Sequence, residues 1–330
     1  VSSPNKHRCA QLLLRFAAPL ILRAESMTLP HGITEYRPLS PYTSIGIGGR
    51  ARYFAAAASA ADLEGIACFA REKRLPVCLL GRGSNVLIED GAIDAVVVVL
   101  AGAFKKITFA ADTGTVTAGA GVPLIKLGVA LARHGCPGCA YMGVIPGSVG
   151  GAVRMNAGTG QGQEISSHLL QALVFDPVRL EEHCFGHDEL QFSYRASLLS
   201  RMPLIVLEAV FRLPEERDVA PGQALADIKS LFAQRRAAQP KCRFTFGSTF
   251  KNPAGAEHSA GWYLEQTGMK GQRCGGAMVP HEHANWIINT GGARSAEVKE
   301  LIEQSRTRVL EKFGILLERE VVYLPEDMAV

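Results

Sequence analysis

The sequence predicts an α+β protein of two or three domains, and three observations predict it. The chain has 330 residues, more than a single core of ordinary size requires. Up to about residue 212, short β-branched runs alternate with helical periodicities. A stretch rich in proline and charge, Leu213–Gly222, reads as a linker, and longer helical patterns follow it.

Each element has its own signal. Arg50–Phe54 is strand-like through its alternation and aromatics, and Ser59 is placed to cap a helix carrying Leu63, Ile66, Ala67 and Ala70 on one face. Val77–Leu80 and Ala95–Leu100 read as buried strands, the second dominated by valine. Ile107–Ala118 continues as strand and turn. Pro123 opens a helix through His134, and Gly135 closes it. Leu170–Phe175 and Pro203–Phe211 are the next strands. Beyond the linker come a helix at Gln223–Ala238, a helix near Gly261–Thr267, a strand at Ala284–Asn289 and a helix at Ser295–Phe313 capped by Gly314. Ile315–Leu324 reads as the closing strand.

Composition excludes several classes. An apolar content of 47% with 20% charge describes an ordinary soluble domain. The net charge of +4 contains no Lys/Arg run suited to nucleic acid, while a mild positive balance suits an anionic small molecule. No run of 18 apolar residues marks a membrane span. The eight cysteines are scattered, as expected of thiols in a reducing compartment, and Cys136-Pro-Gly-Cys139 lacks the second pair a zinc site needs. These features point to the cytoplasm. Residues 1–30 read as a disordered extension, with Met27 a candidate start, because Arg15 interrupts the one apolar run. His281-Glu-His283 resembles a metal pair only superficially, and no metal is expected.

Glycine carries the functional signal. Tyr141–Gly158 holds five glycines in eighteen residues (143, 147, 150, 151 and 158), stiffened by Pro146. Such a stretch can bring bare main-chain N–H groups against a flat or charged ligand. Gly46–Gly49 and Gly81–Asn85 are loops of the same kind. Gly46-Ile-Gly48-Gly-Arg-Ala51 satisfies the dinucleotide fingerprint literally, yet a strand follows it where that motif demands a helix N-terminus. No GK[ST] motif for a nucleoside triphosphate occurs. One dinucleotide held jointly by three separated loops, with Ser84, Asn85 and Ser148 as extra donors, accounts for the pattern better.

At these residues the chain resembles the UDP-N-acetylenolpyruvoylglucosamine reductases, flavoenzymes of bacterial peptidoglycan synthesis. TSIGIGGRA, LGRGSNVLI, IPGSVGGAVRMNAG, FSYRAS, GSTFKNP and LEREV occur in the family's order between about residues 38 and 325. The short spacing between FSYRAS and GSTFKNP is similar to the family's second type, which lacks an extra tyrosine-bearing loop. Val144 stands where members of the family usually carry glycine. The resemblance implies a flavin-binding fold of the vanillyl-alcohol-oxidase type, with two α/β subdomains around FAD. It places subdomain 1 at 31–100 with a returning strand at about 315–325, subdomain 2 at 101–213, and a UDP-substrate domain at 221–314.

It further implies FAD contacts from Ile47, Gly48, Gly49, Gly81, Arg82, Gly83, Ser84, Asn85, Val86, Pro146, Gly147, Ser148, Gly150, Gly151, Asn156, Ala157 and Gly158. NADPH would pass hydride to FAD, and flavin N5 would deliver it to the vinyl carbon of the enolpyruvyl ether, giving UDP-N-acetylmuramate. By the same resemblance Arg195 binds the substrate carboxylate, Ser248 protonates the neighbouring carbon and Glu320 completes the catalytic set. Thr249 and Glu318 are the register alternatives to Ser248 and Glu320. Tyr194, Lys251 and Asn252 would meet the UDP-sugar, with Arg235 and Arg236 as lesser candidates. A monomer is expected. The rival readings are a flavin oxidase of the same fold and a non-catalytic nucleotide-sugar binding protein.

Overall fold

A computed structural model describes residues 32–159, 162–213 and 221–328. The disordered-extension expectation for 1–30 lies outside the described residues, as does most of the linker at 213–222.

The first part of the chain forms five strands, β1 (Ile33–Pro38), β2 (Arg50–Ala57), β3 (Val77–Leu79), β4 (Val86–Ile88) and β5 (Ala92–Leu100), with helix α1 (Ala60–Lys73) after β2. Four of them make a sheet in the order β1-β2-β5-β3, in which β5 runs parallel to both β2 and β3. Parallel strands need cover on both faces, and Val96, Val97 and Val98 are fully buried. The Ser59 hydroxyl accepts from Asp62 N at 3.2 Å while the Asp62 carboxylate accepts from Ser59 N at 3.0 Å, which fixes where α1 begins. Because Arg50–Ala57 is a strand and α1 opens only at Ala60, the glycines at 46–49 meet no helix N-terminus, and the dinucleotide fingerprint fails for the reason the sequence suggested.

The second sheet is antiparallel throughout: β6 (Ile107–Ala110), β7 (Thr115–Gly119), β8 (Leu169–Asp176), β9 (Glu181–Gly186) and β10 (Ile205–Arg212), in the order β6-β7-β10-β8-β9. Helices α2 (Leu124–Arg133) and α3 (Val149–Met155) belong to it, separated by a 3-10 turn at Pro137–Val144. One apolar core runs continuously from Tyr53 and Leu63 beside the first sheet to Val116, Leu127 and Phe175 beside the second. The glycine-rich stretch is therefore less of a loop than its composition suggests. Val149–Met155 is helical, held by the fully buried Val149 and Val153 in place of intrinsic propensity. Gly143 is a packing glycine: a Cβ on its neighbour Gly128 of α2 would come within 2.2 Å of Gly143 N. Val144 is itself buried in an apolar cluster.

The third unit contains α4 (Pro221–Ala238), β11 (Thr245–Ser248), α5 (Ala260–Gln266), β12 (Arg273–Cys274), β13 (Ala277–Met278), β14 (Trp286–Asn289) and α6 (Ser295–Phe313), with a sheet ordered β11-β14-β13-β12. α4 does not pack on this sheet. It lies against α2 and the Pro137–Val144 turn, through Ala224 and Ile228. The closing strand is shorter than expected: β15 covers only Val322–Leu324, which pairs in parallel with β4. Leu317 turns into the third unit's core, so 315–321 follows that core instead of a sheet.

Two carboxyl groups near the second sheet carry a stability consequence. Burial raises the pKa of Glu208 on β10, and the Glu182 charge adds to it; burial likewise raises Glu182, with Glu64 of α1 adding to it. A raised carboxyl pKa means that the folded state binds more protons, so stability should fall as pH climbs from the ordinary value of 4.5 through the raised one. Glu208→Gln is expected to raise Tm at neutral pH and flatten this slope. Thermal melts across that range check it, and an unchanged slope would contradict the assignment.

Candidate active site

The three units enclose a cavity of about 1650 Å³. Single small-molecule sites run to roughly 300–1,000 Å³, so this one has room for a large cofactor and a second ligand together. Of the residues the sequence gives to the cofactor, Gly81, Arg82, Gly83, Ser84, Asn85, Val86, Pro146, Gly147, Ser148, Gly150, Gly151, Ala157 and Gly158 line it.

The wall is built by two loops locked against each other. Gly83 has φ +58°, and a Cβ there would lie 2.1 Å from the Tyr42 carbonyl oxygen. Ser44 N donates to Gly83 O at 2.9 Å, so residues 41–44 back the 81–85 loop and line the cavity themselves. A Cβ on Gly81 would sit 2.6 Å from Ser148 Oγ, the hydroxyl that caps α3 by accepting from Gly151 N. Ser84 Oγ reaches Pro146 O at 3.4 Å. Apolar Val99, Leu100, Ala120 and Val206 complete this side. Bare main chain facing apolar side chains suits a flat, elongated, phosphate-bearing group such as FAD.

The two glycines predict different outcomes. At Gly83 a side chain meets rigid backbone at a positive φ, so Gly83→Ala should not fold stably. At Gly81 it meets a rotatable hydroxyl. Gly81→Ala should keep the fold but displace the Ser148 cap, weakening FAD binding by about fivefold, the equivalent of a lost cap worth about 1 kcal/mol. Flavin fluorescence titration measures this, and wild-type affinity in Gly81→Ala would refute it.

Ile47, Gly48 and Gly49 do not line the cavity. Ile45 and Ile47 are buried in the third unit's core, and Gly48 and Gly49 are packed against Leu39, Ser40 and Gly91. Asn156 does not line it either. It is 1% exposed, and its amide Nδ2 donates to Ser193 O at 3.0 Å and Glu164 Oε2 at 2.7 Å while Oδ1 accepts from Ser166 N. It thereby fixes the turn that carries Arg195.

Arg195, Glu320 and Ser248 all line the cavity. Ser193 and Ala196 exchange both main-chain hydrogen bonds, and the turn between them holds Arg195 at φ +55°. That conformation costs a non-glycine residue about 1–2 kcal/mol, which marks the side chain's placement as the constrained quantity. Arg195 Nε donates to Glu320 Oε1 at 3.0 Å and Nη2 to Gly158 O at 2.9 Å; Nη1 is buried with no protein partner. A guanidinium edge is thus left for an anionic ligand.

Glu320 N donates to Thr249 O at 2.8 Å, next to Ser248 at the end of β11, and Asn85 Nδ2 donates to Glu320 O at 2.9 Å. Burial raises the Glu320 pKa, and the charge and hydrogen bond of Arg195 and the charge of Lys251 only partly oppose it. Glu318, the alternative, is exposed and paired to Lys251. Thr249 is 1% exposed and outside the cavity lining, where Ser248 is part of it.

Tyr194, Lys251 and Asn252 stand outside the lining. Tyr194 stacks near the Arg195 guanidinium at 5.2 Å; Lys251 Nζ is 2.5 Å from Glu318 Oε1; Asn252 Oδ1 accepts from Ala260 N at the start of α5. Arg154 lines the cavity and went unnoticed in the sequence, because nothing distinguishes an arginine in a short helix until its neighbours are known. The same holds for Tyr42 and Ala120. Cys136 and Cys139 are both buried, and burial, with the Cys136 charge, pushes the Cys139 thiol up to about 12, which suits packing and not redox exchange. Among the described residues no helix is long and apolar enough to cross a membrane.

The comparisons agree with this geometry. A family profile described as UDP-N-acetylenolpyruvoylglucosamine reductase, C-terminal domain, matches residues 239–324, and one described as FAD binding domain matches 51–178. The UDP-N-acetylenolpyruvoylglucosamine reductase of Desulforamulus reducens is 38% identical over 292 residues, covering 88% of this chain and 93% of that protein. UDP-N-acetylenolpyruvoylglucosamine reductase 1 of Bacillus cereus is 37% identical over 286 residues, 86% of this chain and 92% of its own. The crystal structure of UDP-N-acetylenolpyruvylglucosamine reductase from Thermus caldophilus superposes with a TM-score of 0.71 at 35% identity, over 89% of this chain and 98% of that one. Sequence, fold and a flavin-sized cavity coincide over nearly the whole described chain, which belongs to the UDP-N-acetylenolpyruvoylglucosamine reductase family and takes FAD as its cofactor.

Proposed function

We propose that Arg195, Ser248 and Glu320 carry the family's reaction in this chain, the NADPH-dependent reduction of UDP-N-acetyl-3-O-(1-carboxyvinyl)glucosamine to UDP-N-acetylmuramate for peptidoglycan synthesis. FAD, when bound, supplies the hydride relay between NADPH and the substrate's vinyl carbon. The observation that carries the residue assignment is the Arg195–Glu320 pair, 3.0 Å apart in the lining of the cavity that Ser248 also lines.

Arg195 presents its unpaired Nη1 edge to the substrate carboxylate, where negative charge grows as hydride arrives on the vinyl group. Ser248 Oγ holds the proton that the carbon next to that carboxylate receives; an alcohol suffices when the accepting carbon is strongly basic and the geometry is fixed. Glu320, its pKa raised, enters protonated or sharing a proton and so does not repel the second carboxylate. Residues 31–100 with 315–325, and 101–213, serve the cofactor, and 221–314 serves the UDP-sugar. The enzyme is of the family's second type and acts as a cytoplasmic monomer; its eight cysteines, scattered along a long chain, suit a reducing compartment.

The test is a pair of anaerobic half-reactions on the purified yellow protein. NADPH should bleach the visible flavin band, and the enolpyruvyl substrate should restore it. Bleaching that only oxygen reverses would replace this reading with an oxidase.

A further inference from the structure

A hydroxyl can protonate a chosen carbon only if the main chain beneath it is held in place, and what holds Ser248 lies outside the cavity lining. Ser248 pairs with Trp286 at the end of β11. Beyond it Thr249 N still donates to Asn285 O at 2.9 Å. Phe250 is only 2% exposed, so its N–H and C=O need partners away from water. The Asn285 side chain takes both: Oδ1 accepts from Phe250 N at 2.9 Å, and Nδ2 donates to Phe250 O at 2.9 Å. Only a group with a donor and an acceptor side by side can do this. The same stretch also anchors the residues around Glu320. Glu320 N donates to Thr249 O at 2.8 Å, and Lys251 N donates to Glu318 O at 2.9 Å. Ser248 and Glu320 are thus tied to one segment, and Asn285, buried and absent from the cavity lining, pins it.

We propose that Asn285 is a positioning residue for the reduction: its amide, clamped on both main-chain groups of Phe250, sets where Ser248 presents its hydroxyl relative to the Arg195–Glu320 pair. The role rests on the functional reading above, in which Ser248 holds the transferred proton. It adds a side chain that acts through Ser248 from outside the cavity. A clamp that served folding alone would affect the two half-reactions alike; a positioning clamp acts selectively on the proton step.

Asn285→Asp separates the two. A protonated carboxyl offers one O–H donor and one acceptor oxygen, as the amide does, whereas a carboxylate offers acceptors alone and would face the Phe250 carbonyl oxygen. The ionisable groups around the position are His283, whose Nδ1 accepts from Asn285 N at 3.2 Å, the Lys270–Glu265 pair beside His283, and Lys251, Glu318, Arg319 and Glu320 on the segments bonded at 249–251. All of them are present in the wild type and in Asn285→Ala, so rates expressed as a ratio to wild type isolate the new carboxyl.

The FAD-loaded full chain and both variants are followed by stopped-flow absorbance under nitrogen from acid to alkaline pH, in H₂O and D₂O. Asn285→Ala is expected to slow substrate-driven reoxidation by about 10²-fold, the cost of a misplacement near 1 Å, and to enlarge its solvent isotope effect, while NADPH-driven bleaching keeps its rate. Its ratio to wild type should not vary with pH. Asn285→Asp should match that loss at alkaline pH and recover toward wild type as pH falls. Equal losses in the two half-reactions overturn the role, as do wild-type reoxidation by either variant at alkaline pH and an Asn285→Asp that stays as slow in acid as in alkali. If Asn285→Ala yields no folded protein, the Asn285→Asp ratio decides alone. A Ser248→Ala variant that reoxidises at the wild-type rate would instead sink the functional reading, and the role of Asn285 with it.

Discussion

Ser248→Ala is expected to slow substrate-driven reoxidation of the flavin by about 10²–10⁴-fold, the range general acids contribute, while NADPH-driven bleaching keeps its rate. The separation follows from where Ser248 stands. It ends β11 and lines the cavity beside the Arg195–Glu320 pair, and NADPH oxidation has no carbon for it to protonate. Removing Oγ deletes one hydroxyl from a half-buried position, so the fold should survive. Stopped-flow absorbance under nitrogen resolves the two steps. Equal losses in both would mean that Ser248 shapes the flavin site and donates no proton. Thr249→Val supplies the matching control, because that hydroxyl is buried outside the cavity lining.

Arg195→Met should lower the substrate half-reaction by about 10²–10³-fold, the loss seen when one donor to a developing anion is removed. It should also change how stability depends on pH. Arg195 supplies the larger influences that pull the Glu320 pKa down against burial, so without it that pKa rises further. A carboxyl whose folded pKa lies above its unfolded value enters the fold neutral at low pH and is penalised once ionised. The variant should therefore be nearest wild type in acid and lose stability as pH climbs through the raised Glu320 value. At high pH the deficit should approach the roughly 3–5 kcal/mol typical of a buried pair that has lost one partner. Arg195→Met with Glu320→Gln should remove most of that pH-dependent deficit. Denaturant melts at several pH values test this, and a pH-independent deficit would show that the two side chains are not coupled.

The legible parts of the fold were those with local causes. Ser295–Phe313 was readable to both ends because a long apolar period terminates at Gly314, which adopts φ +68°. α1 was readable from the Ser59 cap. The valine run of β5 announced a strand covered on both faces. By contrast, β9 is a half-buried strand of polar composition, and β12 and β13 have two residues each, too few for any periodicity. The helix inside the glycine stretch exists because Val149 and Val153 find a core, which no window of sequence contains.

The site divides in the same way. The glycine crowding of Gly81–Asn85 and Gly143–Gly151 was legible in the sequence, and residues of both stretches line the cavity. Gly46–Gly49 carries a higher density, three glycines in four residues, yet Ile45 and Ile47 are buried in the third unit's core and none of the three glycines lines the cavity. Lys251 and Asn252 matched a motif, while what engages them, Glu318 and the start of α5, is set by tertiary contact. Asn156 shows the converse. The resemblance implied a cofactor contact for it, and in the structure its side chain makes three hydrogen bonds, one of them to the turn that carries Arg195.

The parallel pairing of β15 with β4 has a consequence for synthesis. Glu320 immediately precedes the segment that returns to β4, so the last residues a ribosome adds bring both the neighbour of β4 and the carboxyl group that faces Arg195. A message cut short after the codon for residue 314 would yield a product without the neighbour of β4 and without Glu320, idle toward the sugar nucleotide.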